Sequence, residues 1–142
     1  MPSAKRTVTI AAPIETVFAF FTDPSNDASW RGGVKDMHAH GDPEVGAVVH
    51  QVIAGPMGRG INADIEITDY DVPTMYGFRA IGGPVRPVGS YVFTSVEGGT
   101  EVAFSLEAEV SGFKKLIMGG PVQKSMDGEV AALDKAKALI EG

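Results

Sequence analysis

From Val34 to Val110 the apolar residues recur at every second position, and after Ser111 at about every 3.6. This change of period constrains the fold more than any other feature: a run of strands is followed by a helix. The last strand, EVAFSLEAEV (101–110), alternates without fault. Val102, Phe104, Leu106, Ala108 and Val110 face one way, and Glu101, Glu107 and Glu109 the other. INADIEITDYD (61–71) repeats the pattern, with Ile61, Ala63, Ile65 and Ile67 opposite Asn62, Asp64, Glu66 and Thr68. Half-apolar strands of this kind build an antiparallel sheet with one face covered. The helical stripe opens with Phe113, Leu116 and Ile117 and runs through Val122, Met126, Val130, Leu133 and Ile140. Gly119-Gly120-Pro121 predicts a kink or break near its first third, because Pro121 removes a hydrogen bond. Beyond it, residues 122–141 are expected as one long helix.

Ahead of the alternating region, KRTVTIA (5–11) reads as a first strand with Val8 and Ile10 on one face. Pro13 then starts a helix at a position that needs no N–H. Ile14, Val17, Phe18 and Phe21 follow at i, i+3, i+4 and i+7, an amphipathic stripe. Asp23 can cap a second short helix with Pro24 at its first position, ending at Trp30 before Gly32-Gly33. The remaining strands are GVKDMHAH (33–40), AVVHQVIA (47–54), TMYGFRAI (74–81) and one containing Tyr91 and Phe93. Glu97-Gly98-Gly99-Thr100 is a hairpin signal. The order is strand, two short helices, six strands, one long helix. That is an α+β meander, and the C-terminal helix is the one large element able to cover its apolar face.

Composition limits function. The 142 residues suit one domain spanning 1–142, with no repeat or linker. A net charge of -6 argues against a nucleic-acid surface and against docking on an anionic membrane. With no cysteine there is neither a disulfide frame nor a thiolate metal site. Pro13 and Glu15 interrupt the apolar stretch after Lys5-Arg6, so a signal peptide is not expected. No segment approaches the roughly 20 apolar residues of a membrane span, and a cytoplasmic protein is the expectation.

The stretch APIETVFAFFTDPSNDASW (12–30) is followed by a Gly-Val strand, Gly46 after an acidic turn, ITDYDVP, YGF, GSYVF and GGTEV. In that order, from about Thr7 to Ile140, the chain resembles the START-like, SRPBCC superfamily, and within it the polyketide cyclase/dehydrase group. The resemblance implies a helix-grip fold: a curved seven-stranded antiparallel sheet wrapped around the long C-terminal helix, with two short helices plugging one end. It further implies a cavity for an apolar ligand between sheet and helix. The family shares no universal catalytic residue, so none is carried over.

Alternation assigns the inward faces. The strand candidates are Met37, Ala39, Ile61, Ala63, Ile65, Ile67, Tyr76, Phe78, Tyr91, Phe93, Phe104 and Leu106. The helix adds Phe113, Ile117, Met118, Val122, Met126 and Val130. Trp30, the only tryptophan, is expected near the cavity mouth with Asn26, Asp27 and Arg31, and Arg59 and Arg86 could rim it. Tyr76 and Tyr91 bring the two inner hydroxyls, each needing a partner if buried. Asp36, His38 and His40 have the look of a metal set but share the outward parity. His50 lies on a strand whose two faces are both apolar; facing in, it would be the best general acid/base in the chain. Arg79 falls on the outer face. No Gly-rich phosphate cradle opens a helix, no Gly-x-Ser-x-Gly elbow occurs, and no paired carboxylates fall on the inner face. Neither metal nor cofactor is expected. An interior almost devoid of titratable groups favours binding of a small, mostly apolar molecule, whether aromatic, polyketide-like or lipid-like. A cyclase/dehydrase-like enzyme using Tyr76, Tyr91 or His50 is the alternative, and a protein-interaction module with a filled core is a third. The chain is expected as monomer or homodimer.

Overall fold

The first strand, β1 (Ser3–Ile10), lies antiparallel to the last, β8 (Gly99–Glu107), with Ile10 opposite Thr100 and Ser3 opposite Glu107. This pairing brings the two ends of the strand series together. The structure is a computed structural model, described for residues 3–39, 41–55, 57, 59–83, 85–108 and 113–142, with backbone alone over 113–121. The other strands are β2 (Val34–Ala39), β3 (Val48–Ala54), β4 (Gly60–Asn62), β5 (Ile65–Asp71), β6 (Met75–Ala80) and β7 (Val88–Val96). The sheet runs in the order β1-β8-β7-β6-β5-β3-β2, every neighbouring pair antiparallel, and β4 pairs with β3 beside that path. β7 and β8 meet in a tight hairpin with Val96 opposite Gly99. A Cβ on Gly99 would overlap the Ile10 carbonyl oxygen, so glycine alone lets β1 approach the hairpin so closely.

The stretch 61–71, which alternates as if one strand, is divided in the structure at Ala63-Asp64. Gln51 of β3 makes the division. Its backbone N–H donates to Asp64 Oδ1 (3.1 Å), and its side-chain amide donates to the Ala63 carbonyl (3.0 Å). Two ladder partners are thereby replaced by side-chain bonds.

Between β1 and β2 lie α1 (Ile14–Thr22), a 3₁₀ turn over Pro24–Asn26, and α2 (Asp27–Trp30). Asp23 Oδ1 accepts from the Ser25 N–H (3.0 Å) and the Ser25 hydroxyl (2.7 Å), capping the turn that Pro24 opens. The stripe on α1 buries Val17, Phe18 and Phe21. Phe18 meets Phe93 edge-on at 5.2 Å, which seats the short helices against β7.

The C-terminal segment forms α3 (Phe113–Ala131) and α4 (Leu133–Glu141). The break expected at Gly119-Gly120-Pro121 does not occur, since α3 runs through it. One missing hydrogen bond is outweighed by burial of Val122, Met126 and Val130 just beyond. The interruption falls at Ala132 instead, whose N–H is shared between the carbonyls of Gly128 (3.1 Å) and Glu129 (3.2 Å). Residues 122–141 are therefore two helices, not one. Leu133 and Ala136 are buried, and Arg6 of β1 grips Asp134 through both carboxylate oxygens at 2.7 and 2.6 Å. No helix among the described residues is long and apolar enough to cross a membrane.

Candidate functional site

The sheet curls around α3 without filling the space beneath it. A cavity of about 500 Å³ remains, walled by residues of every strand from β2 to β8 and of α1, α2 and α3. Of the residues expected on the inward faces, Met37, Ile61, Ala63, Ile65, Tyr76, Phe78, Tyr91, Phe104, Leu106, Val122 and Met126 line it, whereas Ile67 and Val130 are buried in the core and are not among its lining residues. The side chains of Phe113, Ile117 and Met118 lie outside the described residues. Phe93 is not on the wall; it is packed between α1 and Tyr91, only 2 % exposed. Ala39 is exposed at the end of β2.

Trp30 is likewise core rather than mouth. Its ring is 1 % exposed, edge-on to Phe21 at 5.4 Å and to Phe104 at 6.4 Å. Both of those residues line the cavity, so Trp30 backs the wall and does not form it. Burying so large an apolar ring against two others outweighs what its polar sequence neighbours suggest.

Those neighbours carry the main correction. Asp27 and Arg31, expected at a solvated mouth, are drawn inward and line the cavity together with Gln51 and Glu129. Arg31 is held from three elements. Its Nε donates to Glu129 Oε2 (2.8 Å) and its second terminal nitrogen to Glu129 Oε1 (3.1 Å), a two-pronged grip from α3. The other terminal nitrogen donates to Asp27 Oδ2 (2.9 Å) on α2 and Gln51 Oε1 (2.8 Å) on β3. The expectation of an interior without paired carboxylates is overturned: two carboxylates flank one guanidinium.

Burial governs the electrostatics here. It pushes the Asp27 carboxyl up to about 6, against the pull of the Arg31 charge, with Glu129 and Asp23 adding to the rise. Asp27 Oδ1 and Trp30 Nε1 are buried with no partner among the described residues. Burial also works against the charge of Arg31, but Glu129 and then Asp27 more than offset it and hold the guanidinium protonated. Tyr76 and Tyr91 are pushed above the usual phenol range, first by burial and then by Asp27. Both tyrosines are therefore neutral hydroxyls, and among the described residues neither hydroxyl has a hydrogen-bond partner. Their rings continue a flat aromatic floor, Tyr91 stacking on Phe104 at 4.3 Å and on Tyr76 at 6.0 Å.

The outer face carries the remaining polar candidates. His50 is turned away from the cavity, its Nδ1 2.9 Å from Asp64 Oδ1 and its ring 4.8 Å from that of His38. Asp36 approaches His38 at 3.2 Å. His40 lies outside the described residues, and among those described no group of three side chains is placed to hold a metal ion. Arg79 pairs with Glu66 on the outer surface; Arg59 and Arg86 are exposed and are not among the described lining residues, although Val85 and Pro87 on either side of Arg86 are.

A curled antiparallel sheet closed by a long C-terminal helix, with short helices after the first strand and a cavity inside, is a helix-grip domain. The chain belongs to the SRPBCC family described as "Polyketide cyclase / dehydrase and lipid transport", whose model matches residues 1–141. Members of this family typically bind hydrophobic ligands. Among solved structures the chain is similar to TTHA0849 from Thermus thermophilus, with a TM-score of 0.81 and 22% identity over 99% of this chain and 97% of that one. It is also similar to CV1439 from Chromobacterium violaceum (TM-score 0.77, 15% identity, 99% and 98% covered). A third similar structure is Ara h 8.0201 (TM-score 0.61, 12% identity, 93% and 97% covered). At these identities the likeness speaks for the fold alone. No curated protein matches the chain.

Proposed function

We propose that the cavity binds a small, mostly apolar molecule of aromatic, polyketide-like or lipid-like character. The observation that carries this reading is an interior space of about 500 Å³ walled chiefly by aromatic and aliphatic side chains. Such a volume is in the range of small-molecule sites, and burying an apolar ligand there gains about 25 cal/mol per Å² removed from water. The Tyr76–Tyr91–Phe104 floor offers a flat face to a ring.

The test is saturable binding of the neutral dye N-phenyl-1-naphthylamine, followed by fluorescence, with native mass spectrometry of the purified protein to detect a co-purified molecule. Met126→Trp fills the cavity from α3 without adding charge and is expected to weaken the dye at least about tenfold. Undiminished dye binding in a folded Met126→Trp variant would place the dye elsewhere and remove the reading.

One observation supports an enzyme as the second reading. Asp27, on the cavity wall with a carboxyl near pH 6, is suited to exchange a proton with a bound substrate. His50 is on the wrong side of the sheet for that role, and the two tyrosines are held neutral well above physiological pH.

A further inference from the structure

The arginine in this cavity is largely committed to partners within the protein. A guanidinium has five N–H donors, and four bonds from Arg31 already end on Glu129, Asp27 and Gln51. Gln51 is equally committed, accepting from Arg31 at one end of its amide and donating to the Ala63 carbonyl at the other. The polar capacity left over is mostly of one kind. Carboxylates only accept when ionised, and among the described lining residues Asp27 and Glu129 stand against a single cation, Arg31. The hydroxyls of Tyr76 and Tyr91 line the same cavity without partners among the described residues.

A ligand carboxylate would bring a third anion into a poorly solvated space where, among the described residues, the one positive charge is already matched. Like charges at close range in a low dielectric repel by more than any single hydrogen bond returns. A ligand hydroxyl, by contrast, can donate to a carboxylate oxygen and accept from a tyrosine, with no charge to desolvate.

We propose that the Asp27–Arg31–Glu129–Gln51 cluster is a headgroup site selecting uncharged, hydroxyl-bearing ligands, phenols or alcohols, and rejecting their carboxylate counterparts. The inference rests on the cavity being a binding site and adds the class of polar group it reads.

Three ligands of matched apolar body test it: butylbenzene, 4-butylphenol and 4-butylbenzoate, each titrated at pH 7.5 by displacement of N-phenyl-1-naphthylamine. The phenol is expected to bind about tenfold tighter than butylbenzene, the worth of one good buried hydrogen bond. The benzoate is expected to bind at least about tenfold more weakly than the phenol. Glu129→Gln keeps the shape of the side chain, removes one anion and loosens the two-pronged grip on Arg31, so benzoate affinity should rise at least about tenfold while the phenol gains nothing. Asp27→Asn removes the other anion and gives the same readout should Glu129→Gln fail to fold. Benzoate binding as tightly as the phenol in the unaltered protein overturns the proposal, and so does an unchanged preference in a folded variant. If butylbenzene binds and the phenol gains nothing over it, the headgroup site falls while the cavity stands. If the dye itself does not bind, both fall.

Discussion

Replacing Asp27 by Asn should stabilise the protein, and the amount should depend on pH. Asp27 is 4 % exposed; its Oδ2 accepts from Arg31 at 2.9 Å, and its Oδ1 has no partner among the described residues. Burial raises its carboxyl from the usual 3.8 to about 6 even though Arg31 opposes the rise, and the neighbouring Glu129 and Asp23 reinforce it. The folded state therefore holds this proton more tightly than the unfolded chain does. Stability associated with the group is complete below about pH 3.8 and falls as pH rises from there to about 6. Above that it levels off at a loss of about 3 kcal/mol, at about 1.36 kcal/mol per pKa unit. Asn has nearly the shape of the protonated acid and no charge to desolvate. The Asp27→Asn protein is expected to exceed the unaltered one by up to about 3 kcal/mol at pH 7.5, with the gap closing to less than about 1 kcal/mol near pH 4. Urea unfolding at pH 4, 5 and 7.5, read from the fluorescence of Trp30, gives both stabilities by linear extrapolation. An Asn variant less stable than the parent at pH 7.5, or a gap that does not change with pH, would show that the Arg31 ion pair outweighs burial and refute the reasoning.

Other expectations follow from the packing. A Cβ on Gly89 would overlap Phe78 and come within 2.7 Å of Leu106 Cδ2, both on the cavity wall. Gly89→Ala should push these side chains inward and weaken dye binding several-fold, at a stability cost of about 1–3 kcal/mol measured by urea unfolding. Gly99→Ala sets a methyl group against the Ile10 carbonyl, a backbone atom that cannot yield alone, and should cost more than about 2 kcal/mol in the same assay. Tyr91→Phe deletes a hydroxyl without a partner among the described residues, so stability should stay within about 0.5 kcal/mol while 4-butylphenol affinity falls. Arg6→Ala breaks an exposed pair with Asp134 and should lower stability by less than about 1 kcal/mol.

The sheet could be read from sequence because alternation is a local property. In EVAFSLEAEV each side chain's face follows from its parity, and Val102, Phe104 and Leu106 are buried while Glu101 and Glu107 are exposed. Pro13 and Asp23-Pro24 mark helix starts for equally local reasons. The charged cluster is of another kind. Arg31 and Glu129 are 98 residues apart and meet only once α3 has docked on the sheet. Parity says which way a side chain leaves the backbone; it does not say what a long polar chain finds at its far end. Two signals were nonetheless present. Gln51 shares its face with Val49 and Ile53, a polar residue in an inward row, and Glu129 follows Met126 by three positions on the apolar side of the helix. Each is a place where one polar residue stands in a buried series, and the structure pairs both with Arg31.

That pairing argues for use rather than for stability. Buried ion clusters seldom hold a fold together better than apolar side chains of similar volume would, although a deletion that leaves a buried charge with no partner costs about 3–5 kcal/mol. Here the cluster includes a carboxyl whose ionised form opposes folding at neutral pH and a carboxylate oxygen left without a partner among the described residues. A wholly apolar wall would close the same end of the sheet with less strain on stability. It would also bind any apolar molecule of suitable size, whatever its polar group. Anchoring Arg31 from α2, α3 and β3 at once fixes the cluster's geometry before a ligand arrives, which is the condition for reading a headgroup and not merely tolerating one. The destabilising charge and the selectivity are two consequences of one arrangement. A variant that gains stability by losing the Asp27 charge should therefore also lose discrimination against carboxylates.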